Sequence, residues 1–330
     1  MKKTEIARKF RIQYGMEMPI MKLARLMYKE HNLDFKDYND ARKWLSYIEG
    51  KSGKKSKANK QNVQFHLKEY RSNNPYELPA SEEVEYKPYK ITGHEKVGIL
   101  SDVHLPYHNI DALTEALATL KEEKVDALLL NGDIIDCHQL SRFAKDPKKR
   151  DFKYELDSLK MFFDAIDKVL NCKVYYKIGN HENRYEQFLY QKAQEIAGIE
   201  DFEFKNIIKA KERGVEVIES NRFMKLNNLN GIHGHEYIGG ISAPVNIARG
   251  LYLRGKVSAF QGHNHATSEH TETDMNGKIT TTYSIGCLCE LSAPYMPLTK
   301  WNHGYAFVEL DANGKDYRFH NKRIYKGKTL

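Results

Sequence analysis

The chain has 330 residues, of which 41% are hydrophobic and 29% are charged, and these proportions allow a sizeable folded core. No apolar run approaches the roughly 20 residues of a membrane-spanning helix, which excludes a helical integral membrane protein. The first ten residues lack the apolar stretch of a signal peptide, and the four cysteines match no zinc-ligand spacing. We therefore expect a cytoplasmic protein with reduced thiols and no membrane partner.

The formal net charge of +8 is concentrated in the first quarter of the chain. Residues 1–90 hold 20 Lys and Arg against 12 Asp and Glu, whereas residues 91–330 hold 32 of each class. Excess positive charge on one segment is typical of a surface that contacts phosphate groups, but charge runs are also common on solvated surfaces. Both interpretations stay open.

Residues 1–60 have the pattern of a small basic helical unit. Apolar residues recur at helical spacing in three short stretches; Pro19 suits the first turn of the second helix, and Gly50 ends the third. The polar run 51–60 is rich in Lys, Gly and Ser, which predicts a flexible linker. Such a unit could be a helix-turn-helix that binds nucleic acid, or a solvated helical cap.

Residues 61–90 are predicted to connect this unit to the rest of the chain. One short helix is expected from Val63 to Tyr70, and a loop with three prolines follows it. We place the domain boundary near residue 90 and assign residues 91–330 to one larger domain.

From residue 91 onward, strand and helix patterns alternate. The predicted helices span residues 111–121, 154–170 and 184–197. Beyond residue 214 the pattern changes to strands, including one long strand over 223–232 and Asn-Gly turns at 274–277 and 311–314. This order predicts two sheets packed together, with helices on the outside.

Five short polar clusters follow predicted strands, where each strand gives way to a loop. They contain carboxylate, imidazole and carboxamide groups, which are nitrogen and oxygen ligands for metals. The clusters are Ser101-Asp102-Val103-His104, Asn131-Gly132-Asp133, Gly179-Asn180-His181-Glu182, His233-Gly234-His235 and Gly262-His263-Asn264-His265. Because ligand sites in open α/β sheets form at strand ends, five such clusters predict a site for two divalent cations.

The order and spacing of these clusters resemble the signature of the calcineurin-like metallophosphoesterase superfamily. The resemblance covers about residues 95–310 and does not extend to residues 1–90. It implies an α/β protein with a four-layered α/β/β/α sandwich and a dinuclear metal centre, here preceded by a small all-α unit. It also implies hydrolysis of a phosphomonoester or phosphodiester by a hydroxide that two metals activate.

The resemblance further implies a set of metal ligands. Asp133 would bridge the two metals, because a carboxylate offers two oxygens. Asp102, His104 and His265 would complete the first metal, and Asn180, His233 and His263 the second. Mixed nitrogen and oxygen ligands suit manganese, iron or zinc better than calcium, and we take manganese as the first choice.

By the same resemblance, His181 would protonate the leaving oxygen and Asp136 would orient its imidazole. The arginines of the serine/threonine phosphatase branch are replaced here by Cys137 and Ile178. Arg142 and Arg184 lie near the clusters in sequence and are candidate substrate-binding residues, although either could be a surface arginine.

We therefore expect a metal-dependent phosphoesterase acting on an unidentified phosphoester. The first alternative is a nuclease of the same superfamily that holds DNA or RNA through residues 1–60. The second is a nucleic-acid-binding module without hydrolytic activity. The complete ligand set and His181 favour an active enzyme over this second alternative.

Overall fold

A computed structural model describes residues 2–53, 56–57, 78–79, 81–142, 151–237, 245–292 and 298–330. The chain divides into two units, Met1–Val84 and Glu85–Leu330. The helix predicted from Val63 to Tyr70, and half of the linker predicted over 51–60, lie outside the described residues. Among the described residues, none of the helices combines the length and apolar character that a membrane crossing requires.

The first unit, called the N-terminal unit below, contains the three predicted helices. They are α1 (Lys3–Tyr14), α2 (Ile20–Glu30) and α3 (Tyr38–Ile48). A buried ion pair joins the first and last of them, with Nε of Arg11 donating to Oε1 of Glu49 at 2.8 Å. The connection between α2 and α3 spans residues 31–37, which is longer than the about 3–4 residues of a helix-turn-helix turn.

The second unit contains two β-sheets. Its strands are β1 (Tyr89–Ile91), β2 (Lys96–Leu100), β3 (Ala127–Asn131), β4 (Lys173–Lys177), β5 (Glu216–Ile218), β6 (Met224–Leu226), β7 (Leu229–Gly231), β8 (Ala259–Gln261), β9 (Ser268–Thr273), β10 (Ile279–Ser284), β11 (His303–Leu310), β12 (Tyr317–Tyr325) and β13 (Lys328–Thr329). The larger sheet has the order β13-β12-β11-β2-β3-β4-β5, and the smaller sheet has the order β1-β6-β7-β8-β10-β9.

The described helices of the second unit lie around these sheets. They are α4 (Ile110–Glu122), α5 (Phe152–Val169), α6 (Asn183–Lys192), α7 (Phe204–Ile207) and α8 (Ile247–Gly255). Two 3-10 turns, His138–Leu140 and Glu200–Phe202, lie between them in sequence.

The residues of β3 show how the layers are built, because successive side chains of a strand point to opposite faces. Leu128 and Leu130 join the buried cluster formed with α4 and α5. Ala127 and Leu129 join the cluster between the two sheets. On the outer face of the smaller sheet, Leu251 of α8 packs with residues of that sheet. The predicted α/β/β/α sandwich is therefore confirmed, as is the preceding helical unit.

Some predicted elements are wrong in detail. The single strand predicted over 223–232 is a hairpin, in which β6 and β7 pair in antiparallel fashion around a turn where Asn227 has φ 51°. The helix predicted over 184–197 ends at Lys192. The two Asn-Gly turns are confirmed, with Gly277 at φ 79° and Gly314 at φ 70°.

The central strands of the larger sheet set the location of the polar clusters. β2, β3 and β4 are parallel, with Leu100 paired to Leu130 and Leu130 paired to Tyr176. Their carboxyl ends therefore lie at one edge of the sheet, where the first three clusters follow them. In the smaller sheet, β7 and β8 are also parallel, and the remaining two clusters follow these strands.

Candidate metal centre

Backbone hydrogen bonds tie the loops that follow different strands to one another. The N–H of Asp102 donates to the carbonyl of Gly132 at 3.1 Å, which joins the loops after β2 and β3. The N–H of Gly262 donates to the carbonyl of His233 at 2.8 Å, which joins the loops after β8 and β7. The N–H of His263 reaches across to Asp102 Oδ2 at 2.9 Å and so links the two sheets. The N–H of His181 donates to Asp133 Oδ1 at 2.9 Å, so the remaining cluster is joined to the other four.

Five of the proposed ligand residues have a left-handed backbone. They are Asp102 (φ 55°), His104 (φ 51°), Asp133 (φ 52°), His263 (φ 65°) and His265 (φ 56°). A residue with a Cβ adopts this conformation at a cost of about 1–3 kcal/mol, which the surrounding structure has to offset. Such strain is concentrated at functional sites, and here it coincides with the residues that the clusters predicted.

Three of the predicted ligands, Asp102, His104 and His265, form one group that we call the first half of the centre. Asp102 Oδ1 lies 3.2 Å from His265 Nε2, and the Nε2 atoms of His104 and His265 lie 3.2 Å apart. Asp133 Oδ2 lies 4.0 Å from His104 Nε2. The donor atoms of the first half therefore converge on a space that also faces Asp133.

Asn180, His233 and His263 form the second half of the centre. Asp133 Oδ2 lies 3.2 Å from His233 Nε2, and Asn180 Oδ1 lies at the same distance of 3.2 Å from that nitrogen. Ligand atoms of Asp133, His233 and His263 all lie within 4.8 Å of one another. The carboxylate of Asp133 thus lies between the two halves.

Two observations bear on whether these residues fit divalent cations. Among the described residues, the buried Nδ1 atom of His263 has no hydrogen-bond partner, which is compatible with a nitrogen that coordinates a cation. The converging groups are imidazole nitrogens, carboxylate oxygens and one carboxamide oxygen, which is the donor chemistry of a transition-metal site. The loop is also packed closely, since a Cβ on Gly262 would overlap the side chains of Ser101 and Asp102.

Opposite charges stabilise each half when no cation is bound. Burial raises the pKa of the Asp102 carboxyl, but the His265 imidazole outweighs it and lowers that pKa to about 2. Burial lowers the pKa of His233, but the Asp133 carboxylate outweighs it and raises that pKa to about 10. An imidazole has to lose its second proton before one of its nitrogens can bind a metal, so metal binding at His265 or His233 would release protons.

His181 and Asp136 lie beside the centre and contact each other. Asp136 Oδ1 lies 3.1 Å from His181 Nδ1, and the Asp136 carbonyl lies 2.9 Å from the same nitrogen. The other ring nitrogen, Nε2, lies 3.7 Å from Asp133 Oδ2. Burial lowers the pKa of His181, but the Asp133 and Asp136 carboxylates raise it above its ordinary value.

The structure separates the two candidate arginines. Arg184 lies at the centre, where its NH2 group is 2.9 Å from His181 Nε2 and its NH1 group donates to the Asp136 carbonyl at 2.8 Å. Arg142 is exposed and directly precedes residues 143–150, which lie outside the described residues. Arg184 is therefore placed against the predicted proton donor.

Glu182 braces the loop that carries Asp133. Its carboxylate accepts hydrogen bonds from the N–H groups of Asp133 at 3.0 Å and Ile134 at 2.8 Å. It also accepts from the N–H of Gly179 at 2.8 Å and from the hydroxyl of Tyr176 at 2.9 Å. With these donors, Glu182 has a structural role and does not face the cation positions.

Two contacts at the centre were not predicted from the sequence. The Asn131 carbonyl lies 2.7 Å from His233 Nδ1, which fixes a proton on that nitrogen and leaves Nε2 as the donor atom. Cys289 Sγ lies 3.9 Å from His265 Nδ1. The motif Cys287-Leu288-Cys289 is the sequence signal of this contact, and its spacing matches no zinc site.

The family model described as calcineurin-like phosphoesterase matches residues 95–276, which is more than half of the chain. No curated protein sequence matches this chain.

Several solved structures are similar to this chain at low identity. Vacuolar Protein Sorting 29 from Cryptosporidium parvum is 12% identical with a TM-score of 0.40, and the match covers 72% of this chain and 95% of that one. A dimetal phosphatase from Danio rerio is 13% identical with a TM-score of 0.35, covering 71% and 97%. Yfce, a phosphoesterase from E. coli, is 12% identical with a TM-score of 0.32, covering 64% and 87%. Similarities this low carry no conclusion about a substrate.

Proposed function

Because the chain belongs to the calcineurin-like phosphoesterase family, we propose that it is a metal-dependent hydrolase of phosphoric esters. Its cofactor would be a pair of divalent cations, with manganese as the first choice and iron or zinc as alternatives. The ligands would be Asp102, His104, Asp133, Asn180, His233, His263 and His265. The substrate is a phosphomonoester or phosphodiester whose leaving group is not identified.

The position of Asp133 carries this proposal. One carboxylate oxygen, Oδ2, lies 3.2 Å from His233 Nε2 in the second half and 4.0 Å from His104 Nε2 in the first half. The other oxygen, Oδ1, accepts the N–H of His181 at 2.9 Å, which fixes the carboxylate in this orientation. A fixed carboxylate that faces both halves is the arrangement needed to hold two cations together.

When bound, two cations would neutralise charge on the phosphoryl group and lower the pKa of a water for in-line attack. The protein's contribution is to fix the ligands before substrate arrives. The carboxylates and imidazoles are held by packing and by a second set of hydrogen bonds, among them the contact of the Asn131 carbonyl with His233 Nδ1 at 2.7 Å. Such preorganisation is the main way in which a protein can accelerate phosphoryl transfer.

His181 would supply the proton that the leaving oxygen needs. Because Nδ1 lies against the Asp136 carboxylate and carbonyl, a proton is held there and the ring orientation is fixed. Nε2 is then the atom that transfers a proton to the leaving group. Its present neighbour is the Arg184 guanidinium at 2.9 Å, which cannot remain there when Nε2 carries a proton.

Arg184 would bind the phosphoryl group of the substrate. A guanidinium prefers a phosphate oxygen to a neutral imidazole nitrogen, since the hydrogen bond is then charge-assisted. Transfer of Arg184 to the phosphate would therefore free His181 Nε2 at the moment when substrate is bound. Arg142 remains a second candidate for substrate binding.

A nuclease is the second candidate function, and one feature of the N-terminal unit favours it. Lys22, Arg25 and Lys29 are exposed and recur at i, i+3 and i+7 along α2, so that they lie on one face of the helix. Among the described residues, none of these three side chains forms an ion pair. A basic face of this kind can bind the phosphates of DNA or RNA without reading their sequence.

A substrate panel tests the proposed function. Protein stripped with a chelator and reloaded with Mn²⁺ is assayed on p-nitrophenyl phosphate, bis-p-nitrophenyl phosphate, nucleotides, phosphopeptides, DNA and RNA. Hydrolysis of at least one ester above the level of Asp133→Asn, abolished by the chelator and restored by Mn²⁺, is expected. Rates equal to those of the variant on every substrate would refute the proposal that the protein is a hydrolase. If the protein still binds nucleic acid in that case, the result favours a nucleic-acid-binding module without hydrolytic activity.

A further inference from the structure

Lys177, the last residue of β4, has an ammonium group in an enclosed and fully satisfied environment. Its side chain is 0% exposed, which is rare for lysine. The Nζ atom donates to three backbone carbonyls, those of Ile178 at 3.2 Å, Glu219 at 3.1 Å and Ser220 at 2.6 Å. The lysine therefore joins the ends of the parallel strands β4 and β5.

The same ammonium group forms an ion pair with Glu236 in the loop after β7. Nζ of Lys177 lies 3.2 Å from Oε1 of Glu236. That oxygen accepts the N–H of His233 at 3.0 Å, and Oε2 accepts the N–H of Gly234 at 2.7 Å. A continuous chain of polar contacts thus leads from the larger sheet to the backbone of His233, a proposed ligand in the second half.

Stability alone does not account for a buried ion pair at this position. Removing two charges from water has a large desolvation penalty, and apolar side chains of similar volume often stabilise a protein as well or better. A charged pair does, however, fix a geometry, because each partner is stable only when its hydrogen bonds are made. The bonds of Glu236 are made to the two N–H groups at which the His233 loop turns.

We propose that Lys177 and Glu236 are positioning residues that hold the His233 loop in place and thereby set the affinity of the second half for its cation. This inference rests on the proposed function, since it requires a two-cation centre. The contacts of the pair are with the second half and not with Asp102, His104 or His265. Loss of the pair should therefore weaken one cation site and leave the other intact. Changes in residues that support a metal ligand typically reduce affinity 10–100-fold.

Mn²⁺ titration of full-length variants, by calorimetry and by metal analysis after dialysis, tests this selectivity. In Lys177→Met and in Glu236→Gln, one site should keep the affinity of the unchanged protein while the other weakens about 10–100-fold. Activity should then need more Mn²⁺, with kcat restored at saturation. Because the two residues act as a pair, the double variant should be no worse than the more affected single variant.

Lys96→Met is the matched control. Lys96 lies on β2 of the same sheet and is also paired, at 2.8 Å to Glu123 and 3.5 Å to Glu309. Among the described residues, its ammonium group forms no ion pair with a proposed ligand loop. This variant loses an ion pair and should keep both Mn²⁺ affinities, even if its melting temperature falls. Loss of one Mn²⁺ site in this control would attribute the effect to general destabilisation and overturn the inference.

Three outcomes separate the inference from the function on which it rests. Two unchanged sites in both Lys177→Met and Glu236→Gln, or equal weakening of both sites, overturn the positioning role alone. An unchanged protein that binds fewer than two Mn²⁺ ions overturns the proposed centre itself. If Lys177→Met does not fold, Glu236→Gln decides, because the amide is nearly the same size as the carboxylate and removes only the charge and one acceptor.

Discussion

The Oδ1 atom of Asp136 lies 2.9 Å from Nδ1 of His104, a proposed ligand in the first half of the centre. The sequence predicted Asp136 as a partner of His181 only, and that contact is also present at 3.1 Å. One carboxylate therefore contacts both a proposed ligand and the proposed proton donor. Burial raises the pKa of Asp136, but its hydrogen bonds with His104 and His181 hold that pKa far below the usual range, so the group is a carboxylate at neutral pH.

Asp136→Asn should therefore impair both metal binding and turnover. An asparagine keeps one acceptor oxygen but loses the charge that orients the two imidazoles, so Mn²⁺ affinity of the first half should fall about 10–100-fold. Turnover should stay low even at saturating Mn²⁺, because His181 also loses its partner. Mn²⁺ titration and kcat at saturation measure the two effects. Unchanged affinity would restrict Asp136 to the role that the sequence predicted.

His181→Ala separates proton donation from metal binding. The variant should keep both Mn²⁺ ions and lose about 10²–10⁴-fold in kcat on an alkyl phosphate, whose leaving oxygen needs a proton. The loss should be much smaller on p-nitrophenyl phosphate, because its leaving group is stable as an anion. Comparing the two substrates at saturating Mn²⁺ provides the measurement. Equal losses on both would contradict the assignment.

Asp133→Asn tests the bridge between the two halves. If the asparagine oxygen keeps the hydrogen bond from the His181 N–H, the amide nitrogen faces the two halves and cannot bind a cation. The variant should therefore retain at most one Mn²⁺ ion per chain and lose activity. Metal analysis after dialysis gives the stoichiometry. Glu182→Gln is a useful comparison, since Glu182 holds the same loop through the Asp133 N–H at 3.0 Å but is not a proposed ligand. Two Mn²⁺ ions per chain in Asp133→Asn would refute the bridging role of Asp133.

The sequence predicted the clusters and the architecture because both depend on local patterns. Each cluster follows a run of apolar residues, and parallel strands bring their carboxyl ends to one edge, as the pairing of Leu100 with Leu130 shows. The Asn-Gly turns were predicted for a similar reason, since a glycine accommodates the positive φ that the turn requires, as Gly277 does at 79°.

Contacts between distant segments were not predictable from one sequence. Lys177 is separated from Glu236 by 59 positions, and a lysine at a strand end is ordinarily exposed. The apolar pattern continues on both sides of Asn227 and therefore predicts a continuous strand, where the structure has a hairpin. The contact of Asp136 with His104 needs the fold to bring two loops together, which residue spacing alone does not indicate.

Glu155 is a buried carboxyl group near Asp136, and its ionisation should make the stability of the protein depend on pH. Its side chain is 1% exposed, and Oε1 accepts the N–H of His138 at 3.1 Å. Burial, followed by the nearby Asp136 carboxylate, raises the pKa of Glu155 from its ordinary value of 4.5 to about 8. Between these values an unfolded chain loses the proton while the folded chain keeps it. As the pH rises from about 4.5 to about 8, the free energy of unfolding therefore falls.

Glu155→Gln should remove this loss of stability at higher pH, because a glutamine does not titrate. At pH 8 the free energy of unfolding of the variant should exceed that of the unchanged protein by on the order of a few kcal/mol or less, so the variant should unfold at a higher temperature. The difference should vanish near pH 4. Thermal unfolding across this range is the measurement. Glu122→Gln, at an exposed position of α4, is the control and should follow the unchanged protein. A constant difference at all pH values would show that titration of Glu155 is not its cause.

The basic face of α2 separates the nuclease from a phosphoesterase with a passive helical cap. If Lys22, Arg25 and Lys29 contact phosphates, binding of DNA or RNA must release counterions, and log K falls by about 0.7–0.9 per contact for each log unit of salt. Replacing all three by Ala should therefore weaken binding at low salt and reduce the salt slope. Hydrolysis of p-nitrophenyl phosphate should not change, because every proposed ligand lies beyond residue 100 in the chain.

The matched control replaces three exposed lysines of the second unit, Lys121, Lys168 and Lys211, and removes the same total charge. Equal affinities and slopes for the two triple variants would show that net charge alone attracts the nucleic acid, and the small-molecule phosphoesterase would then be the better assignment.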